Sequence, residues 1–160
     1  MKSSKRQLLV TLLGSFAFFS AGPALSDDAD DVMAVIHSYA ELEGDLQAQS
    51  TLIRDDRVMI AGSARQTDQS MNMKVQMAQR EANDAASGGP AKWVVRIEAP
   101  EIRVYGNTAV ASFMRLTNIF PPNARPINQG PLWYTLVLVK EGGDWGIAHT
   151  HVSPVVPPAN

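Results

Sequence analysis

The first part of the chain carries apolar residues at helical spacing. From residue 30 to Gly44 the apolar positions recur every three or four residues, which predicts one amphipathic helix. Asp45 can cap a second, short helix that runs to about residue 53. Thr67 or Asp68 can cap a third helix. The predicted apolar stripes are Val32, Val35, Ile36, Tyr39 and Leu42 on the first helix, and Met71, Val75, Ala78 and Ala82 on the third.

The second part of the chain has the pattern of strands. After a short strand at 57–62, β-rich segments follow one another with turn residues between them. Helices first and antiparallel strands afterwards predict an α+β domain. A curved sheet of about four long strands would hold the N-terminal helices on its concave side. The later strands are predicted at 92–99, 101–105, 108–120, 132–141 and 145–153, separated by Pro100, the Gly106–Asn107 turn, a proline-rich loop at 121–131 and the turn Gly142–Asp144.

Residues 1–26 have the organisation of a secretory signal peptide. Three cations come first, a dozen mostly apolar residues follow at 8–19, and small residues (Ala24 and Ser26) precede the predicted cleavage point. The apolar run is short for a membrane span, which needs about 20 residues, although an uncleaved anchor is the alternative. We predict that residues 27–160 form a single domain in the periplasm or outside the cell, with no membrane contact after cleavage.

The composition excludes several classes of function. Cleavage after Ser26 removes three of the 14 cationic residues and none of the 16 acidic residues, which leaves a net charge of −5. A domain of this charge has no electrostatic footprint for nucleic acid or for an anionic membrane. The chain has no cysteine, which excludes disulfides, thiolate zinc sites and cysteine nucleophiles. No phosphate-binding glycine loop or dinucleotide motif is present, and no cofactor is expected.

The last predicted strand, WGIAHTHVS, holds two of the three histidines. Strict alternation would place one set of residues on one face: Trp145, Ile147, His149, His151 and Ser153. Such a face suits the wall of a ligand cavity, and it equally suits the exposed end of a strand. The metal alternative lacks ligands, because the only other histidine, His37, is predicted to face solvent. We therefore predict no metal site.

An acid–base function would use His149 or His151 as the general base. Tyr39 on the first helix and Asp45 at the next junction are the candidate helpers. Each has a structural alternative, since Tyr39 fits the core and Asp45 fits a helix cap.

Arg115 lies in the middle of an apolar strand. Alternation places it on the same face as Ala111, Phe113 and Thr117. A buried arginine is costly unless it is paired or solvated. Arg115 therefore has either a carboxylate partner across the sheet or a role in binding an anion.

The order of these elements resembles the nuclear transport factor 2-like superfamily, which includes the SnoaL-like proteins and ketosteroid isomerase. The sequence is most similar to the association-domain branch of calcium/calmodulin-dependent protein kinase II and its bacterial relatives. That branch has an Arg-Leu-Thr strand and a last strand of the form Trp-x-x-x-His-x-His-x-Ser. The matching residues here are Arg115, Leu116 and Thr117, and then Trp145, His149, His151 and Ser153.

The resemblance implies a cone-shaped α+β fold, in which a curved antiparallel sheet wraps a long helix and encloses a pocket. It implies a homodimer through the open face of the sheet. It also implies that Arg115 lines the pocket, with Tyr39 and the histidine strand nearby. The kinase branch carries a second arginine on the penultimate strand, where this chain has Leu136. No aspartate stands where the isomerases keep their general base.

Three functional hypotheses follow from the sequence. The first is an exported domain that binds a small, mostly apolar molecule through Arg115, His149, Tyr39 and Trp145. The second is an isomerase, dehydratase or cyclase with a histidine base in the pocket. The third is a homo-oligomeric assembly module. One scaffold can support all three, so the fold alone does not choose among them.

Overall fold

The computed structural model describes residues 28–156. The predicted signal peptide, residues 1–26, lies outside the described residues. Within the described part, no helix is long and apolar enough to cross a membrane.

Two of the helices begin where the sequence provides caps. Helix α1 spans Asp28–Glu41 and continues into a 3-10 helix, Leu42–Gly44. Helix α2, Leu46–Ser50, is capped by Asp45, which accepts a hydrogen bond from the Ala48 amide at 3.0 Å. Asp68 caps α3, Gln69–Ser87, in the same way, and accepts from the Met71 amide at 2.9 Å. Both caps satisfy amides that would otherwise lack a partner in the first turn.

Six strands form one curved, open sheet in the order β2-β1-β6-β5-β4-β3. Neighbouring strands are antiparallel except β1 and β6, which are parallel. The predicted α+β class and the curved sheet over N-terminal helices are therefore confirmed. The strands are β1 Ile53–Ala61, β2 Ala64–Gln66, β3 Lys92–Tyr105, β4 Thr108–Phe120, β5 Ile127–Glu141 and β6 Asp144–Pro154.

The core lies between α1 and the concave face of the sheet. The stripe of α1 contributes Val32, Ile36 and Tyr39, and His37 is exposed as predicted. Strand β4 contributes Ala109, Ala111 and Phe113 to the core. Arg115 and Thr117 follow at every second position and face inward on the same side. The predicted shared face of Arg115 is therefore confirmed.

Several strand boundaries differ from the prediction. β3 passes through Pro100 as one strand, because a bulge between Glu98 and Glu101 absorbs the proline. β5 begins at Ile127, inside the segment predicted as a loop. The turn between β5 and β6 has positive φ at both Gly142 (64°) and Gly143 (104°), which glycine adopts without a steric cost.

The predicted apolar stripe of α3 is wrong. Met71 and Val75 are 56% and 55% exposed, and Ala78 and Ala82 are exposed as well. The face turned inward carries Asn72, Met73, Gln76, Met77 and Arg80 instead. This helix covers a polar cavity rather than the apolar core, so its inner face is mixed.

Candidate functional site

A bulge in β6 reverses the face on which the two histidines lie. Ile147 pairs with Leu138 and His149 pairs with Val137, so Ala148 is the extra residue. One additional residue moves every following side chain to the other face of the sheet. Trp145 and Ile147 face the core, and beyond the bulge Thr150 and Val152 take the inward positions. The prediction that His149 and His151 share a face with Trp145 is therefore wrong.

A polar cavity of about 230 Å³ lies between the helices and the concave face of the sheet. Three arginines line it, Arg57 from β1, Arg80 from α3 and Arg115 from β4, against one carboxylate, Glu43. Its lining therefore carries an excess of positive charge inside a chain that is acidic overall. The other lining residues are Tyr39, Gln49, Ile53, Met59, Met73, Gln76, Trp93, Gln129 and Tyr134.

Glu43 is the carboxylate partner of Arg115. The Arg115 Nη2 lies 2.7 Å from Glu43 Oε2, and both side chains are largely buried. The sequence analysis had expected such a partner across the sheet. The partner comes instead from the 3-10 helix, Leu42–Gly44. Arg115 also donates to the Tyr134 hydroxyl at 3.3 Å and to Thr117 Oγ1 at 3.2 Å. Each nitrogen of this guanidinium therefore has a partner.

Arg80 is held by the same carboxylate. Its Nη2 lies 3.2 Å from Glu43 Oε1, and its Nη1 donates to the Glu43 backbone carbonyl. The guanidinium also lies over the ring of Trp93, 3.8 Å from the ring centre, a favourable cation–π geometry. Gln49 Nε2 completes the cluster with a hydrogen bond of 3.0 Å to Glu43 Oε2.

The two tyrosines of the cavity are held in the neutral, hydrogen-bond-donating form. Burial raises the pKa of Tyr134 to about 12, against an opposing effect of Arg115. Burial also raises the pKa of Tyr39, opposed by Arg115 and Arg57. Burial by itself lowers the pKa of Arg115, but Tyr134 and Glu43 outweigh it and the net shift is upward. The cavity therefore offers cations and neutral donors at physiological pH.

The structure brings two of the predicted site residues together. Tyr39 and Arg115 both line the cavity. Trp145 belongs to the apolar core and is not among the residues that line the cavity. The ligand-binding roles themselves stay predictions.

The remaining candidates lie elsewhere. His149 and His151 are on the outer face of the sheet, so the geometry supports neither as a base for chemistry in the cavity. Asp45 is a helix cap and borders an external groove of about 760 Å³ between α2 and α3, which Arg80 also borders. This groove is the larger space, but it is more open and has a mostly apolar lining.

The sequence reasoning missed three charged residues of the cavity: Glu43, Arg57 and Arg80. Arg57 carried a signal, because it sits beside the apolar run Val58–Ile60 in a short predicted strand, as Arg115 does in its own. Glu43 and Arg80 carried none, since each belongs to a helical segment rich in other charged residues. Among residues 28–156, no group of three or more histidine, aspartate or glutamate side chains is placed to hold a metal ion.

Comparison with known proteins decides the family. The model of the SnoaL-like domain matches residues 28–157, which is most of the chain. The chain belongs to the SnoaL-like family. A comparison with curated protein sequences gave no match. The match to the SnoaL-like domain and the solved structures described next confirm the resemblance to the nuclear transport factor 2-like superfamily.

Solved structures of the superfamily have the same fold as this SnoaL-like domain. A nuclear transport factor 2-like protein with a cystatin-like fold from Novosphingobium aromaticivorans is 16% identical, with a TM-score of 0.65 over 82% of this chain and 84% of that one. A superfamily protein from Salmonella enterica is 21% identical, with a TM-score of 0.63 over 82% and 93%. The calcium/calmodulin-dependent protein kinase II hub homology domain of Chlamydomonas reinhardtii is 19% identical, with a TM-score of 0.63 over 81% and 100%.

Proposed function

We propose that this SnoaL-like domain binds a small anionic molecule in the cavity between its helices and its sheet. One observation carries the proposal: three arginines and two neutral tyrosines converge on a concave space of about 230 Å³ that is lined by one carboxylate. Convergent polar groups in a concave site are typical of ligand recognition, and guanidinium groups favour carboxylates and phosphates. Leu136 stands where the kinase branch has its second arginine, but Arg57 and Arg80 reach the cavity from other elements.

Native mass spectrometry of residues 27–160 tests this proposal. We expect an added mass that survives mild desolvation and is lost on acid denaturation. Buffer exchange into chloride-free solution should retain it. A domain that carries no small molecule, and that takes up none from a mixture of small organic acids, would contradict the proposal.

Export is a separate proposal, and it rests on the order of residues 1–26. In a bacterial host we expect the full chain to yield a product that begins at Asp27 in the periplasmic or secreted fraction. Intact-mass measurement and fractionation check this. An uncleaved chain in the membrane fraction would instead indicate an anchor.

Homodimer formation is the second candidate function, favoured by the outer face of the sheet. This face exposes large apolar side chains, among them Val94, Val110 and Trp133, the last 43% exposed. His149, His151 and Val137 adjoin them. Exposed apolar patches of this kind commonly mark contacts between proteins, and a second copy of the chain is the occupant we propose. Sedimentation of residues 27–160 at micromolar concentration should show a dimer, and a monomer would contradict it.

A further inference from the structure

Two of the three cavity arginines are already compensated by the protein itself. Glu43 contacts Arg115 through Oε2 and Arg80 through Oε1. Arg115 has further partners in Thr117 and Tyr134, and Arg80 lies over Trp93. An incoming anion would have to displace Glu43 to gain full access to either guanidinium.

Arg57 is different. It is only 3% exposed, yet none of the ion pairs within residues 28–156 includes it, and its Nε is buried without a hydrogen-bond partner. It adjoins Tyr39, and its charge lowers the pKa of that hydroxyl against the larger, opposite effect of burial. A buried cation with an unsatisfied donor is costly, so this side chain is arranged for a partner that the described residues do not supply.

The backbone of β1 explains why Arg57 points inward. The register between β1 and β6 shifts between Ile53 and Val58, so the strand is irregular just before this residue. Ile53 and Arg57 are both buried, while Asp55 and Asp56 between them are exposed. Irregularities of this kind re-aim side chains and recur beside binding sites.

We infer that Arg57 holds the anionic group of the cavity's ligand, and that this ligand is a small monocarboxylate. The inference rests on the proposed function and names the residue and the chemical class. At about 30 Å³ per water molecule, the cavity has room for about eight waters, so the ligand has on the order of ten non-hydrogen atoms or fewer. The side chains of Met59, Met73 and Ile53 can pack against a short apolar part of the ligand. Gln76 and Gln129 can form hydrogen bonds to a further polar group of the ligand.

Benzoate is a suitable probe, and benzamide is its neutral counterpart of the same shape. Calorimetric titration compares both on residues 27–160, on Arg57→Gln and on Arg65→Gln. Arg65 lies exposed on β2, so its substitution removes the same charge away from the cavity. A hydrogen bond to a charged group corresponds to a factor of about 10 to 100 in affinity. We expect Arg57→Gln to lose benzoate affinity by that factor and Arg65→Gln to stay within about twofold of the parent.

The outcomes separate the inference from the proposed function. Benzoate binding that Arg57→Gln leaves unchanged overturns the inference and leaves the cavity proposal standing. Equal affinity for benzoate and benzamide overturns the assignment of a carboxylate. A parent protein that binds none of acetate, butyrate and benzoate overturns the inference, and the cavity proposal is then decided by the native mass spectrometry. Should Arg57→Gln fail to fold, Arg57→Lys keeps the charge without the planar fork, and we expect it to retain part of the affinity.

Discussion

Glu43 is one carboxylate that compensates two largely buried arginines. Replacing it with glutamine leaves Arg80 and Arg115 without a counter-charge in a poorly solvated place. Removing one partner of a buried ion pair typically costs about 3 to 5 kcal/mol of the free energy of unfolding. We expect Glu43→Gln to lose about 3 kcal/mol, as measured by urea denaturation.

The matched control for Glu43 is Glu101→Gln on β3. Glu101 pairs with Arg103 at 3.1 Å, and both side chains are 69% exposed. Exposed pairs contribute about 1 kcal/mol or less. Equal losses for the two variants would mean that the Glu43 cluster is solvated and does not organise the cavity.

Tyr134 gives the fold a dependence on alkaline pH. Its pKa is about 12 in the folded chain and near 10 when unfolded, so the folded state favours the protonated phenol. This contribution to stability is fully present below about pH 10 and is lost as the pH rises towards 12. We expect tyrosinate absorbance in the folded protein to keep rising beyond pH 11, and Tyr134→Phe to lose part of that late phase, because buried Tyr39 also has a raised pKa. A late phase of undiminished amplitude in Tyr134→Phe would assign all of it to Tyr39 and contradict the prediction.

Among the elements, β6 shows where sequence periodicity no longer predicts which face of the sheet a side chain takes. Alternation placed Trp145 and Ile147 inward correctly, and it failed after Ala148 because one bulged residue shifts the period. Nothing in WGIAHTHVS marks the bulge, since it arises from pairing with β5. Strand β4, which pairs with β3 and β5 along its length, kept the predicted alternation, and Arg115 was placed correctly.

The prediction of the buried face of helix α3 was wrong for a different reason. Its apolar residues were assumed to face the core, but this helix lies over the polar cavity and exposes Met71 and Val75. Its inward residues include Arg80 and Gln76, which a search for an apolar stripe discards. The inner face of an element can be recognised by hydrophobicity only where it meets an apolar surface.

Two methionines on α3 test this orientation. Met73 is buried against the cavity, whereas Met71, two positions earlier, is 56% exposed. We expect Met73→Ala to cost about 2 kcal/mol, the low end for a buried methionine because the cavity already lacks packing there. Met71→Ala should change the free energy of unfolding by about 0.5 kcal/mol or less. The reverse order in chemical denaturation would mean that α3 is rotated and that the sequence-based stripe was right.

For the molecule as a whole, the class and order of elements followed from local pattern. The long first helix, the two aspartate caps and the run of long strands were all visible in the sequence. The cavity was not, because its walls come from positions as distant as Tyr39, Arg57, Arg80 and Arg115. Such contacts depend on sheet curvature and on the crossing from β1 to β6, which no local window contains.

Assembly through the outer face makes a prediction about thermal unfolding. If two copies associate through the face that contains Trp133, unfolding is coupled to dissociation, and the melting temperature rises with protein concentration. Trp133→Lys places a charge in that contact, so we expect its melting temperature to be independent of concentration. Val75→Lys is the control, because Val75 is at least as accessible as Trp133 but lies on α3, on the other side of the chain's sheet. A concentration dependence that survives Trp133→Lys and disappears in Val75→Lys would move the contact from the sheet to α3.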